Sequence, residues 1–529
     1  MTPLPRPLVL LSALSFVSAS LAAQLPRDLD AYVTRVMHDF EVPGVAIAIV
    51  QDGRVLLAKG YGVRKLGEPA PVDERTLFGI ASNTKAFTAT ALGILVEEGK
   101  LRWDAPVIDY LPGFAMYDPF VTRELTIRDL LVHRSGLGLG AGDLLWWPTS
   151  TYDRKEIARR LRYIKPATSF RSAYAYDNVL YLVAGQVIET VSGQSWEDFV
   201  QSRILARVGM TGSTVRHSSA AAGGAGGGGG GGNVATPHAP IDGKVRPIAP
   251  FTSDNTNPAG GINSSATDIA KWMIVQLDSG RLAGGSDRLF SQNTARNLWS
   301  VVTPIRPGTP PAELAALKAS FAGYGLGFFL RDYRGYKVVW HTGGLPGYVS
   351  RISLIPDRKL GIAVLTNQES GEAFEAISWR LLDYFLGAPA TDWDAAYRVV
   401  KARGDSATAA EEKRAVAKRD TASRPSLPLE KYAGTYRDAW YGDVTIGLET
   451  GKLVLRFSHT PSLTGDLEHF QYDTFIARWR DRELRADAYV IFALKPDGSI
   501  DQVKMAAVSP ATDFSFDFQD LLLVPQSPP

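Results

Sequence analysis

Ser82 and Lys85 stand three residues apart in Phe78-Gly-Ile-Ala-Ser82-Asn-Thr-Lys85-Ala-Phe87, where a short turn runs into an apolar helix pattern. On a helix, positions i and i+3 share a face. A serine hydroxyl and a lysine amine so placed come within hydrogen-bond reach, which makes a base beside a nucleophile without a histidine. The Ser82 backbone amide then lies at the positive helix end, where an oxyanion is favoured. Lys85, one turn inside, is expected to lose its water, and burial lowers a lysine pKa toward that of a working base. By itself Ser-x-x-Lys recurs by chance in a chain of 529 residues. An N-cap serine followed by a surface lysine makes the same pattern.

Two further constellations add to the pair. In Tyr174-Ala-Tyr176-Asp-Asn178 a tyrosine and an amide precede the apolar run Val179 to Val187. A tyrosine hydroxyl beside a lysine ammonium loses its proton more easily and can carry protons between the serine and a leaving group, while Asn178 can offer its amide to the lysine or the substrate. Without the Ser-Lys pair, Tyr176 would read as a buried tyrosine packed on the next helix. The stretch Trp340-His341-Thr342-Gly343-Gly344-Leu-Pro-Gly347 reads as a strand entering a glycine-rich turn. Its glycines let the backbone approach a substrate, so the Gly344 amide is the candidate second oxyanion donor opposite Ser82. His341 is expected to line the cleft and contact substrate, not to be the main base.

The elements that must position these residues can be read from periodicity. Leu29 to Phe40 has helical spacing, and the runs Val45 to Val50 and Val55 to Tyr61 flank the turn signal Asp52-Gly53 as a hairpin. Lys337 to His341, Tyr348 to Ile355 and Gly361 to Thr366 read as strands, followed by an amphipathic helix from Glu372 to Leu386. Strands from both ends of residues 24–390 can share one antiparallel sheet, which predicts an α/β sandwich beside a helical lobe. Residues 391–427 turn charged and alanine-rich and read as a helical linker. Across 428–529, short runs at Lys431 to Tyr436, Val444 to Leu448, Leu453 to Phe457, Thr474 to Arg478, Tyr489 to Ala493 and Gln502 to Ala507 predict a small antiparallel β-barrel.

Composition narrows the function. With 57 basic and 55 acidic residues there is no charge excess to attract nucleic acid or an anionic membrane. The seven histidines show no metal-ligand spacing and there is no cysteine, so neither metal nor thiol chemistry is expected and no cofactor is implied. Arg6, the apolar stretch Leu8 to Leu21 and Ala22-Ala23 read as a secretory signal over residues 1–23, removed after Ala22 or Ala23. That run falls short of the ~20 residues of a membrane span. A periplasmic or secreted protein without stable membrane insertion is the expectation. The tract from Gly223 to Gly232 lacks the Lys-Ser/Thr ending of a phosphate loop and reads as a flexible surface loop.

Taken in order, the three constellations resemble the serine β-lactamase and penicillin-binding-protein-like hydrolases, of which Ser-x-x-Lys is a known signature. The nearest type is the class C β-lactamase with its esterase and D-peptidase relatives. The likeness spans Leu29 to Gly387 and includes Pro43-Gly-Val-Ala-Ile, Leu125 to Leu137, Pro258-Ala-Gly260-Gly261 and Gly323-Tyr-Gly-Leu-Gly327. It implies Ser82 as the acylated nucleophile, Lys85 as its base partner, Tyr176 as general base and acid, and Asn178 as a ligand of lysine and substrate. His341-Thr342-Gly343 takes the place of the family's Lys-Thr-Gly strand motif, and the amides of Ser82 and Gly344 form the oxyanion hole. The barrel resembles the lipocalin-like domain appended to some members, through Leu427-Pro-Leu-Glu-Lys-Tyr432-Ala-Gly434-Thr-Tyr436. In a relative such a barrel reaches toward the catalytic cleft or supports a homo-oligomer.

The histidine is a departure. A lysine there helps hold a β-lactam carboxylate, and a titratable histidine is a weaker substitute, which favours the esterase and peptidase branches. The reading is an exported serine hydrolase that cleaves an amide or ester in a small-molecule or peptide substrate through an acyl-enzyme. The rivals are a penicillin-binding sensor acylated at Ser82 without turnover and a true β-lactamase. Ser82→Ala is expected to abolish both turnover and labelling by a fluorophosphonate probe; retained labelling would move the nucleophile elsewhere.

Overall fold

The computed structural model describes residues 24–221 and 232–526; the expected signal segment and nearly all of the glycine tract lie outside them. Eight strands form one antiparallel sheet, in the order Arg54–Gly62, Gly44–Gln51, Leu360–Thr366, Tyr348–Ile355, Tyr336–Leu345, Phe329–Tyr333, Ala322–Tyr324 and Thr303–Ile305. The run Val45 to Val50 is apolar on both faces because both are covered. Val45, Ile47 and Ile49 meet the helices Leu29–Asp39 and Gly371–Leu386, whereas Ala46, Ala48 and Val50 face a second core holding Phe87, Trp272 and Met273. The alanines are the short side chains that let the helix Ala266–Leu277 lie close to the sheet.

The closing helix Gly371–Leu386 starts where the Ser370 hydroxyl accepts from the Ala373 N–H, and it stops at Gly387 in a left-handed conformation. Sequence patterning anticipates this helix, the first helix and five of the eight strands. It misses Thr303–Ile305, Ala322–Tyr324 and Phe329–Tyr333, which at three to five residues are too short to display alternation and carry Pro304 and Gly323.

Between the two groups of sheet strands lies the helical lobe, centred on Lys85–Glu97, whose residues from Lys85 to Leu95 are all buried. A helix apolar all round must be enclosed on every side. Here Val179–Ser192, Trp196–Val200 and the short turn Asn257–Gly260 enclose it. After the long helix Trp393–Ala417, a second eight-stranded antiparallel sheet curls into a nearly closed barrel, its ends meeting through the Val503–Leu523 bridge. The expected strand at Lys431 starts later, at Gly434, because Leu429–Lys431 closes a 3₁₀ turn. Thr464–Gln471, half polar in sequence, is an added strand. Buried aromatics that include Phe457, Phe475, Trp479, Phe492 and Phe518 occupy the barrel interior.

The sheet meets the turn that carries Ser82 at Gly343. A side chain there would come within 2.1 Å of the Ile80 carbonyl, so only glycine lets the strand Tyr336–Leu345 press against the turn that precedes Ser82. Ser350 on the next strand donates to the same carbonyl at 3.0 Å and accepts from the Asn83 amide at 2.8 Å. Gly343→Ala is expected to lower stability by about 1–3 kcal/mol and to slow fluorophosphonate labelling of Ser82. Thermal melting and labelling rates equal to wild type would show that this contact does not set the turn.

Candidate active site

Ser82 sits in a 3₁₀ turn, Ala81–Thr84, that leads directly into the helix Lys85–Glu97. Ala81 before it holds a left-handed backbone, φ +49°, a conformation an alanine keeps only where its surroundings enforce it. Two contacts on either side enforce it: the Ile80 N–H donates to the Ile262 carbonyl at 3.0 Å, and the Ile262 N–H donates to the Thr84 hydroxyl at 3.1 Å.

One turn on, the Lys85 amine is fully buried. It reaches Ser82 Oγ at 3.0 Å, Asn178 Oδ1 at 2.8 Å and the Ala259 carbonyl at 3.1 Å. The Thr88 hydroxyl donates to the Pro258 carbonyl at 2.7 Å and accepts from the Trp196 indole at 2.9 Å, which fixes the turn that carries Ala259. Burial pushes the Lys85 pKa down to about 7, against the opposing pull of Asp143 and then Asp177. At neutral pH a substantial fraction of the amine is therefore free to accept a proton.

Tyr176 comes to the same place from the segment ahead of the helix Val179–Ser192, its ring centroid 4.9 Å from Lys85 Nζ. The sequence reading expects the lysine to ease the phenol proton away. Burial acts in the opposite sense and holds Tyr176 well above the usual tyrosine range, with the neighbouring Ser82 hydroxyl only partly offsetting it. Tyr176 is thus a proton donor at neutral pH, and Lys85 is the group able to start as base. Behind Tyr176 packs the buried imidazole of His133, 4.3 Å between centroids.

Asn178 faces Lys85 with its oxygen because its amide NH₂ donates to Asp143 Oδ2 at 2.8 Å. Asp143 has no place among the sequence-predicted residues, and no motif surrounds it. Burial pushes its pKa up to about 8, while Asn178, Ser515 and the Trp146 indole all donate to it and favour the carboxylate.

His341, Thr342 and Gly344 line the opposite wall of a cavity of about 410 Å³ that also holds Ser82, Tyr176 and Asn178. Both His341 ring nitrogens are occupied: Nδ1 lies 2.5 Å from the Thr342 carbonyl, and Nε2 lies 2.9 Å from the Tyr324 hydroxyl. These partners place the proton on Nδ1 and let Nε2 accept from Tyr324. Burial, and then the Lys85 charge, drive the His341 pKa well below the ordinary value. The titratable substitute expected from sequence is therefore held neutral, and it has no free N–H for a substrate carboxylate. Tyr324 belongs to one of the short strands that patterning misses.

The structure thus gathers Ser82, Tyr176, Asn178, His341, Thr342 and Gly344 at one cavity, holds Lys85 buried behind Ser82, and places Gly343 against the turn that carries Ser82. The Beta-lactamase family matches residues 29–385, which contain all of these positions. The chain belongs to the beta-lactamase family. A domain of unknown function, DUF3471, matches residues 418–525. An unguisins hydrolase of Aspergillus violaceofuscus is 29% identical over 90% of this chain and 86% of its own length. Among solved structures, the octameric penicillin-binding protein homologue from Pyrococcus abyssi shares the fold across both lobes. Its TM-score is 0.58 at 23% identity, over 94% of this chain and 99% of that one. The D-amino acid amidase from Ochrobactrum anthropi gives a TM-score of 0.53 at 22% identity, over 68% of this chain and 98% of its own. This member of the beta-lactamase family is a hydrolase.

The depressed lysine gives a pH prediction. A base at Lys85 would make kcat/KM rise through an acid limb near pH 7 as the amine loses its charge. A profile flat from about pH 5 to about pH 9 would remove Lys85 as the base.

Proposed function

We propose that this protein cleaves an amide or ester bond through an acyl-enzyme on Ser82, with a D-amino-acid-containing peptide or a carboxylic ester as substrate. The observation that carries the reading is the unbroken set of contacts from Ser82 Oγ to Lys85 Nζ to Asn178 Oδ1, at 3.0 and 2.8 Å, buried at the end of an apolar helix.

In this mechanism Ser82 Oγ attacks the carbonyl carbon and its proton passes to the Lys85 amine. The carbonyl oxygen takes up the negative charge between the backbone amides of Ser82 and Gly344. Tyr176, kept protonated by burial, gives its proton to the leaving nitrogen or oxygen as the carbon–heteroatom bond breaks, and Lys85 returns a proton to the phenol. Water then attacks the ester carbonyl. Its proton leaves by the same residues, and Ser82 regains its hydroxyl with release of the acid.

The surroundings support a substrate with bulk. Leu139, Trp146, Phe329 and Phe514 give the catalytic cavity an apolar lining. The cavity borders a groove of about 640 Å³ with which it shares Trp147, Gly344, Leu345 and Asp513. Together these leave space for a chain on one side of the scissile bond. The neutral, doubly bonded His341 favours esters and peptides over β-lactams, whose carboxylate would want a cation there. The names of the unguisins hydrolase and the D-amino acid amidase are consistent with amide hydrolysis. Export through the apolar segment Leu8 to Leu21 belongs to the same proposal.

A panel of p-nitrophenyl esters, D-alanyl peptides and nitrocefin tests the substrate class: turnover of an ester or D-peptide well above nitrocefin is expected, and preference for nitrocefin would overturn it. Tyr176→Phe is expected to lower kcat by roughly 10² or more, and an unchanged kcat would assign proton donation to another group.

A further inference from the structure

Beyond the strand Ile500–Ala507 the chain leaves the barrel wall and enters the catalytic lobe before it returns at Val524–Pro525. Phe514 stands edge-on to Tyr176, with ring centroids 6.2 Å apart. Gly140, at φ +69°, leaves the room it needs: a side chain there would lie 2.8 Å from both the Phe514 ring and its carbonyl. The next two polar residues are inside the protein. Ser515, 4% exposed, donates to Asp143 Oδ2 at 3.0 Å, and the fully buried Asp517 accepts from the Gly142 N–H at 2.6 Å and the Leu144 N–H at 3.0 Å.

These contacts bear on the lysine through a single amide. An asparagine side chain can present either its oxygen or its NH₂ to a neighbour, and only the oxygen accepts from an amine. Asp143 decides which, since its Oδ2 accepts from the NH₂ of Asn178 and leaves the amide oxygen aimed at Lys85. Asp143 is in turn held by the Trp146 indole at 2.9 Å and by Ser515, and the backbone on either side of it is held by Asp517. Two of these three supports come from the barrel.

We propose that the barrel segment Asp513–Phe518 is a positioning element of the active site: Ser515 and Asp517 hold Asp143, Asp143 orients the Asn178 amide, and Asn178 holds the Lys85 amine against Ser82. Ser515 and Asp517 touch neither the nucleophile nor its base; they act through Asp143. The barrel lobe is then part of the hydrolytic machinery and not an independent appendage. A pair of loop residues inserted among buried groups can do this because, away from water, every donor removed leaves a buried acceptor short of a partner. The inference rests on the acyl-enzyme reading of Ser82 and Lys85.

The test uses the full chain and two readouts, the second-order rate of Ser82 labelling by a fluorophosphonate and the kcat and KM for p-nitrophenyl acetate, with thermal melting as control. Ser515→Ala is expected to lower the labelling rate and kcat by about tenfold, the loss of one hydrogen bond to a buried acceptor, with KM within about twofold and melting unchanged. Ser515→Thr, which keeps the hydroxyl, is expected to recover most of the loss. A Ser515→Ala protein that labels at the wild-type rate would overturn the inference and leave the acyl-enzyme reading standing. Equal slowing in Ser515→Ala and Ser515→Thr, together with a lowered melting temperature, would overturn it as general damage to packing. Failure of the wild-type protein to label at Ser82 would overturn both.

Discussion

The amine of Lys85 has no contact with water, and the catalytic lobe is arranged around that fact. A buried amine is tolerated only where it is neutral or surrounded by acceptors. Here the acceptors are Ser82 Oγ, Asn178 Oδ1 and the Ala259 carbonyl, and each comes from a different stretch of chain. Satisfying one side chain therefore ties together the Ser82 turn, the start of the helix Val179–Ser192 and the turn at Pro258. The same requirement that stabilises the lysine inside the protein assembles the groups it would work with.

A second buried ionisable group, Asp143, extends the arrangement across the two lobes. Asp143 lies behind Asn178 and collects donors from Trp146 and from the barrel's Ser515, while Asp517 anchors the backbone around it. The lobes are further joined by Arg160, which donates to the Trp440 carbonyl at 2.7 Å, and by the paired Arg485 and Glu369 beside the groove. The paired side chains at the rim are partly exposed and add little stability individually. The Asp143 and Asp517 contacts are buried, so breaking one of them strands a polar group in the interior.

The wall opposite the serine carries the specificity argument. A histidine there could have been a titrating cation, and its sequence position alone leaves that open. Tyr324 and the Thr342 carbonyl occupy both nitrogens, and burial keeps the ring neutral. The departure from lysine is thus accompanied by a partner tyrosine and an aromatic neighbour, Phe329, with its ring centroid 5.1 Å from the imidazole. The result is an uncharged wall opposite Ser82.

Local sequence determined what local physics controls. The apolar run Val45 to Val50, the amphipathic helix before Gly387 and the i, i+3 spacing of Ser82 and Lys85 each follow from periodicity within a few residues, and the structure keeps all three. Tyr176, Asn178 and the glycines at 343 and 344 were legible as chemistry because their residue types stand in short, turn-rich stretches. Asp143, Tyr324, Ser515 and Asp517 were not. Only Tyr324 stands in a stretch that the sequence singles out, Gly323-Tyr-Gly-Leu-Gly327, and the roles of all four come from partners about 17 to 375 residues away. The protonation of Tyr176 and His341 was likewise a tertiary decision, since desolvation depends on what covers a group and not on its neighbours in the chain. Spacing across one helical turn determines that the serine and lysine meet; only the packing of distant segments decides how dry they are, which way the Asn178 amide points and that the barrel reaches the residue behind it.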